Sequence, residues 1–313
     1  MTLNRLPAKA YFGTAKLILI KTALNYAGVG FLVLLSALPY RLVVLFGYGL
    51  GAIAARIPGK RNRVVKTNLR LCFPQLSNSE IDAIANDHWK LLGRSIAERG
   101  IIWMGSAQAV SNMIEVRSAV DLRDQKPRIL VNMHFTGIEG SIVISALAKQ
   151  QGWPRTSGLF QRMKNSFFNA RIIRWRNRFG GNAIDRQGNL LALIREIRKG
   201  NLIILAPDLD LGLRDSVFVP FFGVQTNTIT AVSRLAHIAQ AEVCMMVTTL
   251  LPGRSRYCCV ISKPIDGFPS EDPIVDTARL NAIYEAEIRQ HIAEYYWVHK
   301  RFKNRPNGQA SPY

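Results

Sequence analysis

The chain has 313 residues, 48% hydrophobic and 20% charged, enough for a full core around one catalytic domain and a small appendage but not for two large independent domains. Its 41 Lys and Arg against 21 Asp and Glu give a formal charge of +20, which calls for a polyanionic partner: nucleic acid, anionic lipid or an acidic protein. No Cys/His finger spacing, RNP-like Gly/aromatic strand or helix-turn-helix signature accompanies that charge, so nucleic acid is set aside. Cys72, Cys244, Cys258 and Cys259 show neither paired disulfide spacing nor a CxxC pattern and read as reduced, mostly buried apolar residues in a reducing, cytoplasmic setting.

In chain order, the first feature is an apolar tract from Thr22 to Ile57, broken by Pro39 and Arg41. Lys9, Lys16 and Lys21 precede it, and Lys60, Arg61, Arg63 and Lys66 follow. Ala23 to Leu38 falls short of the roughly 20 residues a straight helix needs to cross a bilayer, although Leu42 to Ile57 prolongs it past a kink. Two arrangements fit: one spanning helix, or a bent hairpin that dips in with both ends cytoplasmic. The tract is too long, and lacks a small-residue cleavage site, for a secretory signal peptide, so residues 1–58 are expected to form a retained membrane anchor. The basic run after it places the rest of the chain in the cytoplasm by the positive-inside rule, while the basic N-terminus pulls the same way and weakens the inference.

Residues 60–300 carry no repeat, low-complexity tract or Ser/Gly linker, and 59–305 read as one catalytic unit ahead of a short tail, 306–313. The spacing predicts a helix over 79–102, a buried strand over 128–133 and an apolar helix over 141–149. A helix over 188–199, a turn at Gly200-Asn201 and a strand over 202–206 follow, ending in Pro207-Asp208-Leu209-Asp210. Thr228 to Ala239 looks helical, 243–250 and 257–262 look like strands, and Asp276 to Tyr296 reads as one long helix. The alternation predicts an α/β fold with a mostly parallel central sheet flanked by helices, behind an N-terminal membrane helix.

His134 falls at the carboxyl end of a predicted strand, where ligands gather in open α/β sheets, with Glu139 five positions on. Such a pair suits attack by an alcohol: neutral His134 takes the hydroxyl proton while Glu139 fixes its tautomer and stabilises the imidazolium. The plainer reading makes His134 a strand end and Glu139 a helix cap. Asp208 and Asp210 have the Asp-x-Asp form by which metal-dependent glycosyltransferases hold a divalent ion, but no nucleotide pocket accompanies it. His88, His237, His291 and His299 are expected to be structural.

Six segments together resemble the late lipid A acyltransferases, the lauroyl and myristoyl transferases of lipopolysaccharide biosynthesis, within the broader lysophospholipid-acyltransferase-like group. They are Arg61-x-Arg-Val-Val-x-x-Asn-Leu-x-x-Cys-Phe-Pro, His134 to Glu139, Phe160-Gln-Arg-Met-Lys-Asn165, Ala206-Pro-Asp-x-Asp, Val217-Phe-Val-Pro-Phe-Phe-Gly223 and Trp297-Val-His-Lys-Arg-Phe-Lys303. The resemblance spans nearly the whole chain. It implies a glycerolipid-acyltransferase-like fold and transfer from an acyl carrier protein thioester to a hydroxyl of a Kdo-bearing lipid A precursor at the cytoplasmic face of the inner membrane. A thioester donor needs no metal or nucleotide, so no cofactor is implied.

By the same resemblance Arg162, Lys164 and Asn165 become substrate-binding candidates, the two cations pinning a phosphate or the thioester oxygen, with a solvated helix face as the bland alternative. Asp208 and Asp210 match the family's acidic loop, where Leu209 and Leu211 replace an expected polar and an expected aromatic residue. Phe218, Val219, Phe221 and Phe222 would wall an acyl pocket unless they simply pack the core. Trp297 to Lys303 would meet anionic headgroups or form a solvated tail. The high charge would steer both acidic substrates. Three alternatives remain at this level: another lysolipid acceptor, a mannosylated phosphoinositide, or a non-catalytic membrane scaffold that binds anionic lipid.

Overall fold

Two apolar stretches meet at Pro39, and the chain forms two helices there, α1 (Ala8–Ala37) and α2 (Tyr40–Arg56). The computed structural model describes residues 8–137, 139–186 and 190–313. Pro39 is the N-cap of α2, where its missing N–H costs nothing but continuation of α1 is blocked. Within α1, Leu19–Ala37 is long and apolar enough to cross a membrane. After α2 the chain bends by 89° into α3 (Lys60–Cys72).

A capping box, with Ser77 and Glu80 bonding each other's backbone, starts α4 (Asn78–Met104). The α2 helix, assigned from sequence to the anchor, packs along α4 through glycines. A Cβ at Gly51 would lie 2.1 Å from the Trp89 carbonyl oxygen, and one at Gly93 would lie 2.3 Å from that of Gly47. Only bare backbones can approach this closely. A buried ion pair, Arg94–Glu98 at 2.7 Å, joins the elements there, with the hydroxyls of Tyr40 and Tyr257 donating to the Glu98 carboxylate.

The remaining elements are α5 (Ala107–Ser111), β1 (Ile114–Ser118), β2 (Arg128–Val131), α6 (Gly140–Gln151), β3 (Thr156–Phe160), α7 (Ser166–Asn177), β4 (Asn182–Asp185) and α8 (Leu190–Arg198). They continue with β5 (Leu202–Leu205), a hairpin of β6 (Ser216–Phe221) and β7 (Val224–Ile229), α9 (Ala231–Ala239), β8 (Glu242–Leu250), β9 (Tyr257–Pro264) and α10 (Pro273–Gln290). Seven strands form one sheet in the order β1-β9-β8-β2-β5-β3-β4. Five of them, β8-β2-β5-β3-β4, run parallel, while β9 is antiparallel to β8. The expected mostly parallel sheet flanked by helices is therefore the architecture.

β2 and β5 are buried at every position, as central parallel strands covered on both faces should be. One face carries Ile129, Val131, Ile203 and Leu205 into a core with α3, α8, α9 and α10. The other carries Leu130, Leu202 and Ile204 into a core with α4, α6 and α7. The four cysteines are free and buried.

Three sequence expectations are corrected. Thr228 lies in β7 rather than in a helix, because the hairpin pairs Thr228 with Val217 before α9 begins. The long helix ends at Gln290 instead of Tyr296, and residues 291–303 form a strap whose backbone bonds the His134 loop. Trp297, Arg301 and Phe302 of that strap are at most 2% exposed, so its aromatic residues and Arg301 are core and do not face headgroups, while Lys300 is exposed. The expected start of the 188–199 helix at Gly188 lies outside the described residues, as does Ile138 of the His134–Glu139 segment.

Candidate active site

Strand register brings the central pair of side chains together. Val131 of β2 is opposite Leu205 of the neighbouring parallel strand β5, so His134 and Asp208, each three residues further on, emerge side by side at the carboxyl edge. Asp208 is fully buried, and its carboxylate accepts from both the His134 backbone N–H, at 3.0 Å, and Nδ1, at 2.6 Å. The ring proton therefore sits on Nδ1, and Nε2 is left as the basic nitrogen. Burial pushes the Asp208 carboxyl up, but the His134 charge and its two hydrogen bonds outweigh that and hold it below its ordinary range.

The loop is clamped from several sides. The strap's Tyr296 N–H donates to the His134 carbonyl at 2.8 Å, Thr136 N–H donates to the Glu294 carbonyl at 2.9 Å, and Ser95 Oγ donates to the Thr136 carbonyl at 2.9 Å. Gly137 is required because a Cβ there would lie 2.7 Å from Thr248 Cγ2 and 3.0 Å from its carbonyl.

His134 lines a cavity of about 610 Å³ whose walls come from α3, α4, the His134 loop, α6, β3, α7, β4, β5 and the strap. Its charged lining is Arg61, Arg99, Arg176 and Glu139 beside His134 and His299. Ile142, Ile172, Leu159, Leu209 and Leu211 give it an apolar side. Asn132 also faces it: the Asn132 Oδ1 accepts from Met133 N–H at 2.8 Å, while its buried Nδ2 has no partner among the described residues.

Glu139 belongs to this cavity but does not hold His134. Its carboxylate accepts from Arg176 of α7 at 2.6 Å. Burial raises the Glu139 carboxyl, but Arg176 and Arg99 more than compensate and keep it below the usual carboxylate range. This corrects the expected pairing: Asp208 is the carboxylate on the imidazole, and Glu139 is the counter-ion of an arginine that the sequence reading missed. Nothing in the spacing of Arg176 marks it, since it reaches Glu139 only because α7 and the start of α6 line the same cavity.

The profile of the bacterial lipid A biosynthesis acyltransferase family matches residues 12–304. The chain is 30% identical to the lipid A biosynthesis lauroyltransferase of Escherichia coli, over 93% of this chain and 94% of that one. It is 30% identical to the palmitoleoyltransferase of the same organism over the same shares, and 28% identical to a lipid A biosynthesis acyltransferase of Haemophilus influenzae over 91% of each chain. The chain belongs to the bacterial lipid A biosynthesis acyltransferase family.

In this acyltransferase the other sequence-chosen residues lie away from the cavity. Arg162 is exposed and ion-paired with Asp185, and Lys164 is exposed. Asn165 caps α7, accepting from Phe167 N–H at 3.1 Å, and donates to Asn25 of α1 at 2.9 Å. Between them Gln161 and Met163 line the cavity instead. Asp210 is buried scaffolding: its carboxylate accepts from Asn227 Nδ2 and from both nitrogens of Asn304, which ties the end of the strap to the hairpin through the residue that follows it. With Asp208 also occupied, by His134, the Asp-x-Asp metal reading loses its ligands.

The expected acyl wall is likewise corrected. Phe221 and Phe222 are core residues, Phe221 near Tyr295 and Phe302, and Phe222 against Phe73 at 5.0 Å between ring centroids. Neither they nor the half-buried Phe218 line the cavity; Leu209 and Leu211, flagged as departures from the family's loop, do. His88 is buried with Nδ1 at the Ala293 carbonyl, and His299 Nε2 sits at the Asp210 carbonyl, both structural contacts. His291 does have a carboxylate, Glu294 at 3.2 Å, and His237 is exposed rather than core.

Proposed function

We propose that this acyltransferase moves a fatty acyl group from an acyl carrier protein thioester to a hydroxyl of a Kdo-bearing lipid A precursor, with His134 as general base and Asp208 as its orienting carboxylate. The observation that carries the reading is the buried Asp208 carboxylate fixing Nδ1–H, which leaves Nε2 of a part-exposed imidazole basic at the cavity wall. Nε2 takes the proton as the acceptor oxygen attacks the thioester carbonyl carbon, and Asp208 stabilises the imidazolium that forms. Collapse of the tetrahedral intermediate re-forms the carbonyl and breaks the carbon–sulfur bond. The imidazolium then returns its proton to the departing thiolate, so the products are an ester and a free carrier thiol.

Arg176, held by Glu139, and Arg99 supply the positive charge in the same cavity. They suit the developing oxyanion or an acceptor phosphate, and Arg61 suits a second anionic group. These three replace Arg162 and Lys164 as the substrate-facing cations. The net charge of +20 favours encounter with an acidic carrier protein and a phosphorylated lipid, so the rate should fall with ionic strength.

In this reading α1 anchors the chain in the bacterial inner membrane, with the catalytic part on the cytoplasmic side, where Lys60, Arg61, Arg63 and Lys66 follow the apolar tract. The test is incubation of purified protein with labelled acyl carrier protein thioesters and lipid A precursor. The wild type should form the ester, while a His134→Ala variant should lose turnover and keep its membrane association. A silent scaffold would show no ester with either protein.

A further inference from the structure

The outward face of α2 has no cover within the described chain. Leu42, Leu45, Phe46, Leu50, Ile53 and Ile57 are 39–65% exposed and recur at three- and four-residue spacing as one stripe. The opposite row, Val43, Gly47 and Gly51, is buried against α4. This inverts a soluble surface helix, which turns its large apolar residues inward; here the small residues face in and the large ones face out.

Three observations identify the cover as lipid. The stripe is continuous with the membrane-crossing candidate in α1: Phe31 and Phe46 meet edge to face with ring centroids 5.8 Å apart, and Leu24, Phe31, Val33 and Leu34 extend the exposed apolar surface. Exposed cations bound it, Arg41 at one end and Arg56, Lys60 and Arg63 at the other, where anionic headgroups would lie. The cavity rim is also on this side. Leu159 and Met163 line the cavity yet are 38% and 48% exposed, and the adjoining Asn165 and Phe167 touch Asn25 and Tyr26 inside the α1 span.

We propose that α2 is a membrane-contacting helix, with the Leu42–Ile57 stripe among the acyl chains of the leaflet that α1 enters. The glycine crossing fixes α2 rigidly to α4, so the catalytic domain itself is held flush on the bilayer with its cavity mouth at the surface. An acceptor lipid then reaches His134 from the side, its chains still in the leaflet. The inference deepens the membrane residence proposed above and does not depend on which acyl group is moved.

The test uses the full chain reconstituted in phosphatidylethanolamine–phosphatidylglycerol vesicles. Leu45→Cys and Ile53→Cys variants are labelled separately with an environment-sensitive fluorophore; the four native cysteines are buried. Leu24→Cys serves as the α1 reference and Lys199→Cys as the aqueous one, and each labelled variant is first checked for wild-type thermal unfolding. Labels at 45 and 53 should emit as blue as the label at 24 and lose as much emission to lipid-borne nitroxides, with no loss to iodide. Iodide quenching equal to that at 199 would overturn the proposal. So would cross-linking between copies at 53 without nitroxide quenching, which makes a second copy the cover. A label at 24 that reports water instead sinks the α1 anchor reading and leaves the α2 result separately readable.

Discussion

Asp208→Asn discriminates most sharply between the two carboxylates near the imidazole. In the wild type one fully buried carboxylate serves two donors, the His134 backbone N–H and Nδ1–H. An amide of the same shape has one accepting oxygen. The backbone N–H cannot change, so if it keeps that oxygen, the amide NH2 faces Nδ1, the ring proton moves to Nε2 and the base is lost. The alternative keeps the tautomer but sets two N–H donors against each other, and either way the imidazolium loses its counter-charge.

By comparison with other carboxylate–imidazole pairs, kcat should fall by about 10³ to 10⁴, which is about 4–5.5 kcal/mol of transition-state stabilisation. The unpaired buried donor should cost about 1–3 kcal/mol of folding stability, so the melting temperature drops while the fold survives. Glu139→Gln keeps an oxygen for Arg176 and removes charge outside contact with the imidazole; its loss should be roughly tenfold. The assay is the initial rate of ester formation at saturating donor and acceptor, with thermal unfolding in parallel. Asp208→Asn within tenfold of wild type, or Glu139→Gln as damaging as Asp208→Asn, would refute the assignment of Asp208.

Three further outcomes follow from the packing. Gly51→Ala should destabilise by about 1–3 kcal/mol in detergent unfolding because its methyl meets the Trp89 carbonyl, whereas Gly49→Ala, with nothing within 4 Å, should be neutral or stabilising by up to ~1 kcal/mol. Trp297→Ala should cost about 3–5 kcal/mol and also reduce kcat, since the strap that holds the His134 carbonyl loses its buried anchor; an unchanged urea midpoint would restore the headgroup reading of that segment. His88 is fully buried, and desolvation pushes its imidazole down to about 4 from 6.5. The unfolded chain therefore binds this proton first, and the neutral form's contribution is complete above pH 6.5 and declines as pH falls toward 4, by about 3 kcal/mol. Urea unfolding at several pH values should show that slope and lose it in His88→Gln.

The sequence by itself determined the elements whose cause is local. Uninterrupted apolar runs marked β2, β5 and β8 as covered strands, Pro39 divided the apolar N-terminal tract, and the position of His134 at a strand's end named the base candidate. β3, β4 and α7 escaped because Thr156, Ser157 and Gly158 blur the strand pattern, because four residues are too few to show a period, and because Asn169, Arg171, Arg174 and Arg176 interrupt the apolar residues of α7.

Only the tertiary structure decided which groups meet. Asp208 reaches His134 because β2 and β5 are neighbours in register, though 74 residues separate the two in the chain. Glu139 turns to Arg176 because the start of α6 and α7 line one cavity, and Asp210 and the phenylalanines of the hairpin are consumed by the strap and the core. Hydrophobic periodicity records whether a residue is covered and never by what; strand order and helix packing supply the partner, and with it the chemistry.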